Sequence, residues 1–516
     1  MRKKLLFNSY PFLFVFFPIV LVLYFVLGRF GVRARLVVIL CASLFFYGWW
    51  DVRFLLLLAT SILTNYGISR LLVSAVERRD NRQANLIVTC GVAFNLIVLG
   101  VFKYANFFVD NVNGLTGTGF TLGAIILPLG ISFYTFEQIG FLVDIRRGHL
   151  YRTDLLSFSV FVSFFPRLVA GPILRYSEIG PQLTFSRERP LADLAIGLTI
   201  FFIGLFKKTF LADGVAPYAT PVFAAAASGE QVDLLLAWGG VLAFTCQLYF
   251  DFSGYSDMAI GGARCFGIRF PMNFASPYKA TNIIEFWRSW HITLSRFLRD
   301  YLYFPLGGNR RGTLRRHANL MTTMLLGGLW HGASWTFVVW GGLHGVYLVL
   351  NHGWIALADR SRALTRIRQL SVWAFCSLVL TFIAVVVAWT FFRSTTLDAA
   401  LNLLAGMSGQ HGIVIPSGLA FAFQAEQDLL LRLGVTFAEG SGSQLVKTWL
   451  WLLPLLGIVF LLPNTQEILA RYGPVLEMPE DSYTAPPLSW APIVGVIAFV
   501  GIISITRVSE FLYWQF

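Results

Sequence analysis

The chain has 516 residues, of which 56% are hydrophobic and 13% are charged. A soluble globular chain typically carries roughly 45–50% apolar and about 25% charged residues, so this composition excludes a soluble enzyme. Lys and Arg number 40 and Asp and Glu number 27, which gives a net charge of +13. Because these cations cluster between apolar runs, they indicate cytoplasmic membrane loops rather than a nucleic-acid partner.

Apolar runs that approach the ~30 Å thickness of a bilayer core recur along the whole chain and predict a polytopic membrane protein. They lie near residues 11–27, 36–50, 54–72, 86–102, 121–143, 155–174, 192–211, 234–250, 318–328, 331–351, 370–392, 446–462 and 488–505. The first is interpreted as a retained helix, because no small-residue cleavage site follows it. Proline interrupts some runs, as at Pro128 and Pro166. Broken helices at membrane depth need protein or water around them, so an internal cavity is expected.

Four basic clusters orient the chain by the positive-inside rule. They are Arg29/Arg33/Arg35, Arg78/Arg79/Arg82, Arg146/Arg147/Arg152 and Arg360/Arg362/Arg366/Arg368. The basic residues 2–4 conflict with that orientation, because one span separates them from Arg29. Three apolar runs follow Arg368, so residues of about 393–445 are predicted to form an extracytoplasmic loop and the C-terminus to lie outside the cytoplasm.

Motifs of soluble enzymes are absent, since no Walker A loop, GxSxG or HExxH occurs. The five scattered cysteines show no CxxC and are predicted to pack rather than to bind zinc or form disulfides. Seven histidines without a compact set of acidic partners predict no catalytic metal site. Glycine pairs, such as 327–328 and 341–342, are expected to let helices pack closely.

Residues 285–301 have the spacing of one amphipathic helix. The polar stripe of that helix would consist of Glu285, Arg288, Ser295 and Arg299, and the apolar stripe of Trp287, Trp290, Leu294, Phe297 and Tyr301. The pattern leaves two interpretations open: a helix that lines a polar cavity, and a surface helix at the membrane interface with no catalytic part.

His331 lies in an almost unbroken apolar stretch between glycines. An ionisable residue at membrane depth is costly and is by default a candidate functional group. A neutral imidazole is cheap to bury and suits general-base chemistry. The alternative is a structural histidine bonded to a neighbouring helix. His344 lies thirteen residues further on, about 140° around an ideal helix, and is interpreted as structural.

Two further clusters are polar. Asp251 and Asp257 lie among hydroxyl groups and apolar residues, where they are expected to orient a catalytic group or to join helices in a polar network. The second cluster is a flexible basic loop that consists of Arg310, Arg311, Arg315 and Arg316. It is either an ordinary cytoplasmic loop or a landing site for the phosphates of a large anionic donor.

Two segments within residues 273–345 resemble the signature region of membrane-bound O-acyltransferases. They read FWRSWHITLSRFLRDYLYFPLGGNR (286–310) and LLGGLWHGASWTFVVWGGLHG (325–345). The resemblance extends to LPLGISFYTFEQIGFLVDIRRG (127–148), FPRLVAGPILRY (165–176) and QLYFDFSGYSDMAIG (247–261). The bacterial branch that it indicates contains the membrane subunit of alginate O-acetylation, peptidoglycan O-acetyltransferases and the teichoic-acid D-alanylation protein.

The resemblance implies one all-α, multi-pass domain over residues 1–516 in a bacterial inner membrane. About 11 or more transmembrane helices, with re-entrant and interfacial helices, would form a ring around a central tunnel. It implies that His331 is the catalytic residue and His291 the second active-site position, which would orient the donor carbonyl or stabilise an oxyanion. The tail 511–516 resembles an FxYxxF motif in which Tyr513 would act as an acyl relay. The alternative for this tail is an aromatic belt at the membrane interface.

The expected donor is acetyl-CoA as a substrate, with no tightly bound cofactor, and its phosphates would meet the basic loop. The expected partners are the lipid bilayer and a periplasmic or membrane-anchored acetyltransferase that modifies an exported polysaccharide such as alginate. Peptidoglycan O-acetylation and D-alanyl transfer from a carrier protein stay open. A secondary transporter that uses Asp251 and Asp257 as a proton relay is the alternative from another class.

Overall fold

The computed structural model describes residues 5–123, 125–149, 153–169, 171–184, 190–479, 485–505 and 511–512. The described chain is almost entirely helical, which confirms the predicted all-α, multi-pass class. The exception within it is a pair of four-residue parallel strands, β1 (Ile413–Pro416) and β2 (Val435–Ala438), with Ile413 opposite Val435.

The first eleven helices are α1 (Phe17–Leu27), α2 (Val32–Trp50), α3 (Val52–Glu77), α4 (Asn81–Thr116), α5 (Ile131–Arg146), α6 (Leu155–Ser163), α7 (Phe165–Leu168), α8 (Tyr176–Thr184), α9 (Pro190–Phe206), α10 (Asp213–Ala227) and α11 (Leu234–Cys265). They are followed by α12 (Ile283–Ser289), α13 (Ile292–Leu298), α14 (Gly312–His331), α15 (Trp335–Ala358), α16 (Arg362–Arg368), α17 (Ser371–Arg393), α18 (Leu397–Met407), α19 (Gln427–Arg432), α20 (Ser443–Leu461), α21 (Thr465–Ile468) and α22 (Ala491–Ile503). Three π-helical stretches adjoin α1, α9 and α13 at Phe12–Phe16, Lys207–Ala212 and Arg299–Tyr303.

Eight helical segments in the described chain are long and apolar enough to cross a membrane. They are Phe12–Phe30, Val32–Trp50, Val52–Glu77, Asn81–Thr116, Pro190–Ala227, Leu234–Cys265, Ser371–Arg393 and Ser443–Leu461. The apolar run near 155–174 divides into the short helices α6 and α7, because Phe164 is extended and Pro166 starts a new turn. The number of helices in a ring and a central tunnel stay predictions.

α11 is the central helix, since every residue from 239 to 266 is buried. α9 packs against it at glycines: a Cβ added at Gly204 would lie 2.5 Å from the carbonyl oxygen of Gly254. A Cβ at Gly261 would lie equally close to the carbonyl oxygen of Gly197. The backbones of α9 and α11 therefore approach too closely for any side chain at these positions.

α14 and α15 form a tight hairpin whose turn holds His331. A Cβ added at Gly328 would collide with the carbonyl oxygen of Phe337, and one added at Gly341 would collide with that of Met324. The expectation that glycine pairs allow close helix packing is confirmed for this hairpin.

The prediction of one amphipathic helix over 285–301 is wrong. α12 ends at Ser289, Trp290 is extended, and His291 adopts a left-handed conformation with φ of 42° before α13 begins. Glu285 and Arg288 therefore lie on a different helix from Ser295 and do not form a stripe with it. At the break the backbone nitrogen of Ile292 donates to the carbonyl oxygen of Asn273, and that of Ala275 donates to the carbonyl oxygen of Ser289.

The predicted loop of 393–445 is a structured excursion that contains α18, the two strands and α19. After it, α20 is long enough to cross a membrane, whereas α22 has 13 residues and is shorter than a bilayer core. Within the described residues, the apolar run near 488–505 forms the helix Leu488–Ile503, which is shorter than the eight candidate spans.

Candidate active site

His331 is the last residue of α14 and is 4% exposed. Three aromatic rings enclose its imidazole at centroid distances of 4.9 Å (Trp330), 5.0 Å (Trp340) and 5.3 Å (Phe392). These rings come from α14, α15 and α17. The imidazole therefore lies in an apolar enclosure that limits access of water.

The carbonyl end of α14 is capped by two neighbours on α4. The ammonium of Lys103 donates to the carbonyl oxygens of Trp330 and His331, the latter at 3.1 Å. The hydroxyl of Tyr104 donates to the carbonyl oxygen of Leu329 at 2.9 Å. A cation at a helix C-terminus is stabilising and fixes the last turn. Sequence reasoning missed Lys103, which directly follows the predicted apolar run near 86–102 and lies within the continuous helix α4.

His291 is fully buried at the break between α12 and α13. Its Nδ1 lies 3.0 Å from the side-chain oxygen of Asn273, which also accepts from the hydroxyl of Thr293 at 2.9 Å. The amide nitrogen of Asn273 in turn donates to the hydroxyl of Ser256 on α11. Because an amide oxygen is an acceptor, this bond places the proton of the imidazole on Nδ1 and makes Nε2 an acceptor.

The structure brings the two predicted site histidines to one ring. The Trp330 indole lies 4.9 Å from the imidazole of His331 and 6.2 Å from that of His291. The ring of Phe252 on α11 lies 4.7 Å from that of His291. A substrate atom beside Trp330 would therefore have both imidazoles within reach, while their chemical roles stay predictions.

His344 belongs to the same cluster. Its ring lies 4.8 Å from Trp340 and 5.1 Å from Trp287, and neither ring nitrogen has a hydrogen-bond partner in the described chain. The angle of about 140° applied to one continuous helix, whereas α14 ends at His331 and α15 starts four residues later. The hairpin therefore gives both histidines the shared neighbour Trp340.

A groove of about 670 Å³ opens beside this cluster, between α12, α15 and α17. Its lining includes Glu285, Tyr347, Asn351, Trp354, Arg368 and Trp373. The ring of Tyr347 lies 5.7 Å from that of His344. Aromatic rings thus connect the groove, through His344 and Trp340, to His331.

The four arginines of the predicted basic loop lie at the opposite end of α14 from His331, and the prediction of a flexible loop is wrong for Arg315 and Arg316, which belong to the first turns of α14. Arg310, Arg311 and Arg315 are exposed, Arg316 is half-buried, and none of the four pairs with a carboxylate in the described chain. At 1.5 Å per residue, the 15 residues from Arg316 to His331 correspond to about 22 Å. The structure therefore separates this loop from the histidines by most of a membrane thickness.

The two aspartates of α11 form ion pairs, which favours the network interpretation. Asp251 pairs with Lys208 at 2.5 Å, and Asp257 pairs with Lys207 at 2.7 Å. Both lysines belong to the π-helical stretch after α9. These partners lie more than forty residues away in sequence, so the pattern of α11 alone contained no sign of them.

Tyr513 lies outside the described residues, but the two residues before it are described and buried. The ring of Phe511 lies 5.2 Å from Phe252 and 5.0 Å from Tyr255. The backbone nitrogen of Leu512 donates to the carboxylate of Asp251 at 3.1 Å. The start of the tail therefore lies one aromatic ring away from His291.

In the described chain no three His, Cys, Asp or Glu side chains form a group that could hold a metal ion. The reactive groups of this site are imidazoles in an aromatic enclosure. The ammonium of Lys103 contacts the end of α14, the helix that carries His331.

Comparison with known proteins adds a family context. The model of the membrane-bound O-acyltransferase family matches residues 144–392. The chain is 44% identical over 410 residues to a probable alginate O-acetylase AlgI of Pseudomonas putida, covering 78% of this chain and 80% of the relative. It is 40% identical over 439 residues to a peptidoglycan O-acetyltransferase of Helicobacter pylori, covering 79% and 81%. A teichoic acid D-alanyltransferase of Streptococcus thermophilus is 31% identical over 238 residues, covering 44% and 57%.

Proposed function

This chain belongs to the membrane-bound O-acyltransferase family, and we propose that it transfers an acetyl group from cytoplasmic acetyl-CoA for O-acetylation of an exported polysaccharide such as alginate. The observation that carries the proposal is the pair of buried histidines, His331 and His291, at one indole ring in a chain 44% identical to an alginate O-acetylase.

In the proposed reaction an acceptor hydroxyl attacks the thioester carbonyl carbon near Trp330. His331 removes the hydroxyl proton, the new C–O bond forms, the C–S bond breaks, and the departing thiolate takes the proton. The aromatic walls limit hydrolysis of the thioester by excluding water. Lys103 holds the carbonyl end of α14 and so fixes the position of His331.

His291 fits an orienting role better than the oxyanion role. Its Nδ1 proton is directed to Asn273, so its Nε2 is an acceptor and does not donate to a carbonyl or an oxyanion. We assign it a positioning role beside Trp330, in which Nε2 accepts a hydrogen bond from a substrate group other than the hydroxyl whose proton His331 removes.

A long donor suits the separation between the basic loop and the histidines. The four arginines of the loop carry no acidic partner in the described chain, and about 22 Å of helix separates Arg316 from His331. Acetyl-CoA carries its phosphates and its thioester at opposite ends of a flexible arm, so the phosphates would bind the arginines while the thioester reaches His331. The groove that ends at Tyr347 is a candidate path for that arm.

We further propose that Tyr513 receives the acetyl group and passes it to a periplasmic or membrane-anchored acetyltransferase. Support comes from the burial of Phe511 and Leu512 near His291. The chain is also similar to a peptidoglycan O-acetyltransferase and to a teichoic acid D-alanyltransferase. The alternatives within the family are therefore peptidoglycan as the acceptor and carrier-bound D-alanine as the donated group. A proton relay through Asp251 and Asp257 has less support, because lysines neutralise both carboxylates.

The test uses purified protein with radiolabelled acetyl-CoA and compares the parent with His331→Ala, Tyr513→Phe and the control His411→Ala. His411 lies far along the chain in the 393–445 excursion, where its ring contacts the carbonyl oxygen of Val232. Label retained by the parent and the control but lost in the other two variants supports the relay. Loss in His331→Ala alone rejects Tyr513 as the relay. No turnover, even with a periplasmic partner present, overturns the acetyl-CoA assignment.

A further inference from the structure

Asp251 has one partner that distinguishes it from the other buried carboxylate of α11, Asp257. It is 1% exposed and pairs with the ammonium of Lys208, which also contacts Asp213 at 2.9 Å. Its second oxygen accepts a hydrogen bond from the backbone nitrogen of Leu512. A buried charge needs such compensation, and here part of the compensation comes from the C-terminal segment.

Asp257, six residues along the same helix, is the natural comparison. Its carboxylate is satisfied by Lys207, by the hydroxyl of Thr465 and by the amide of Gln466. The wide π-helical turn after α9 directs both consecutive lysines towards α11. Two adjacent ion pairs therefore have the same construction, but the pair at Asp251 also binds the tail.

The tail contact and the histidine site share one ring. Phe252, the neighbour of Asp251, lies 5.2 Å from Phe511 and 4.7 Å from His291. Successive Cα atoms are about 3.8 Å apart, so fixing the Leu512 amide restricts where the next residue begins.

We propose that the Lys208–Asp251 ion pair is the docking site for the chain's own C-terminal segment and that Asp251 positions this segment for acyl transfer. The positioning role rests on the proposed acetyl relay, whereas the docking itself does not. Asp251 acts through the backbone of Leu512 and is a positioning residue, not a catalytic one.

Leu512→Pro is the sharpest test of positioning, because it removes the amide hydrogen and leaves the ion pair intact. Leu512→Ala keeps that hydrogen and is the matched comparison. The measured quantity is the ratio of radiolabel on the tail to thiol released from acetyl-CoA. A hydrogen bond to a charged group is worth about 1.5–3 kcal/mol, so we expect a ratio about tenfold or more lower for Leu512→Pro than for Leu512→Ala.

Asp251→Asn is expected to lower the same ratio, while Asp257→Asn, which removes the equivalent charge away from the tail, should leave the ratio at the parent value. Lys208 keeps Asp213 as a partner in Asp251→Asn. Equal ratios in the proline and alanine variants, together with a normal parent, would overturn the positioning role. A parent that releases thiol but carries no label on Tyr513 would instead contradict the relay.

Docking has a readout that needs no acyl transfer. Leu512 is 5% exposed, so a cysteine at this position, in a chain whose five native cysteines are replaced, should react slowly with a maleimide. Adding Asp251→Asn should accelerate the reaction about tenfold, and adding Asp257→Asn should not. Equal rates in both backgrounds would show that Asp251 does not hold the tail.

Discussion

Two buried regions of this protein differ in how their polar side chains are surrounded: one by aromatic rings and the other by opposite charges. Around His331 the walls are indole and phenyl rings, and the nearby ammonium of Lys103 is directed to backbone carbonyls. Around α11 the carboxylates are matched by cations, as in Asp251 with Lys208 and Asp193 with Arg264 at 2.8 Å. The first arrangement surrounds imidazoles with apolar rings, whereas the second cancels charge and joins helices.

The largest expected difference between the two regions is the loss of turnover at His331. Replacing it by glutamine should lower acetyl-CoA turnover by about 10²- to 10⁴-fold, the usual contribution of a general base. The melting temperature should change little, because the surrounding rings fill the enclosure. Thiol release and thermal melting measured on the same preparation check both halves. Turnover within a factor of about three of the parent would remove His331 from the mechanism.

The opposite outcome is expected in the ion-paired region. Lys208→Met leaves Asp251 buried without its cation, and removing one partner of a buried pair typically costs about 3–5 kcal/mol. The variant should melt at a lower temperature, and Lys208→Met combined with Asp251→Leu should recover part of the loss. A single variant as stable as the parent would show that the pair is not needed for folding.

The α14–α15 hairpin links chemistry to packing. Gly341→Ala puts a methyl group against the carbonyl oxygen of Met324, so overpacking should cost about 1–3 kcal/mol and displace His331. Gly342→Ala is the control, since its added carbon would meet only Leu325 at 3.6 Å. Melting temperature and turnover should fall together in the first variant and stay unchanged in the second.

Replacing Lys103 tests whether the cap of α14 positions His331. Lys103→Met removes the cation from the helix terminus, an interaction of about 1–2 kcal/mol in a partly buried setting. We expect kcat to fall about tenfold with KM unchanged, because the cap positions His331 rather than binding substrate. Tyr104→Phe, which removes only the bond to Leu329, should have a smaller effect. A change confined to KM would assign Lys103 to substrate binding.

The smallest effects are expected at the exposed basic loop. Arg311→Gln or Arg315→Gln should raise KM for acetyl-CoA less than about fivefold, since single exposed charge contacts are worth about 1 kcal/mol or less. The effect should shrink at high salt. Arg362→Gln, at the start of α16 in a different basic cluster, serves as the control. Equal KM values would remove the donor-binding role from the loop.

The sequence predicted the helical membrane class and singled out His331, because long apolar runs and an ionisable group within one are local signals. It failed where the answer depends on distant contacts. His291, at the break, contacts Asn273, and the partners of Asp251 include Lys208 and Leu512. The shared contact of His344 and His331 with Trp340 depends on the hairpin turn, which the sequence did not reveal. The role of Lys103 depends on the end of α14, which it contacts only in the folded chain.

The short helix α22 has a consequence for the membrane itself. Its outward side is apolar, with Ile493, Val496 and Phe499 exposed, yet the apolar helix Leu488–Ile503 that contains it spans only about 24 Å. Hydrophobic mismatch of this size is relieved by local thinning of the bilayer. We expect a dimple in which headgroups and water descend towards the tail, so an acceptor would meet it below the mean membrane plane. Activity in vesicles should accordingly depend on lipid chain length.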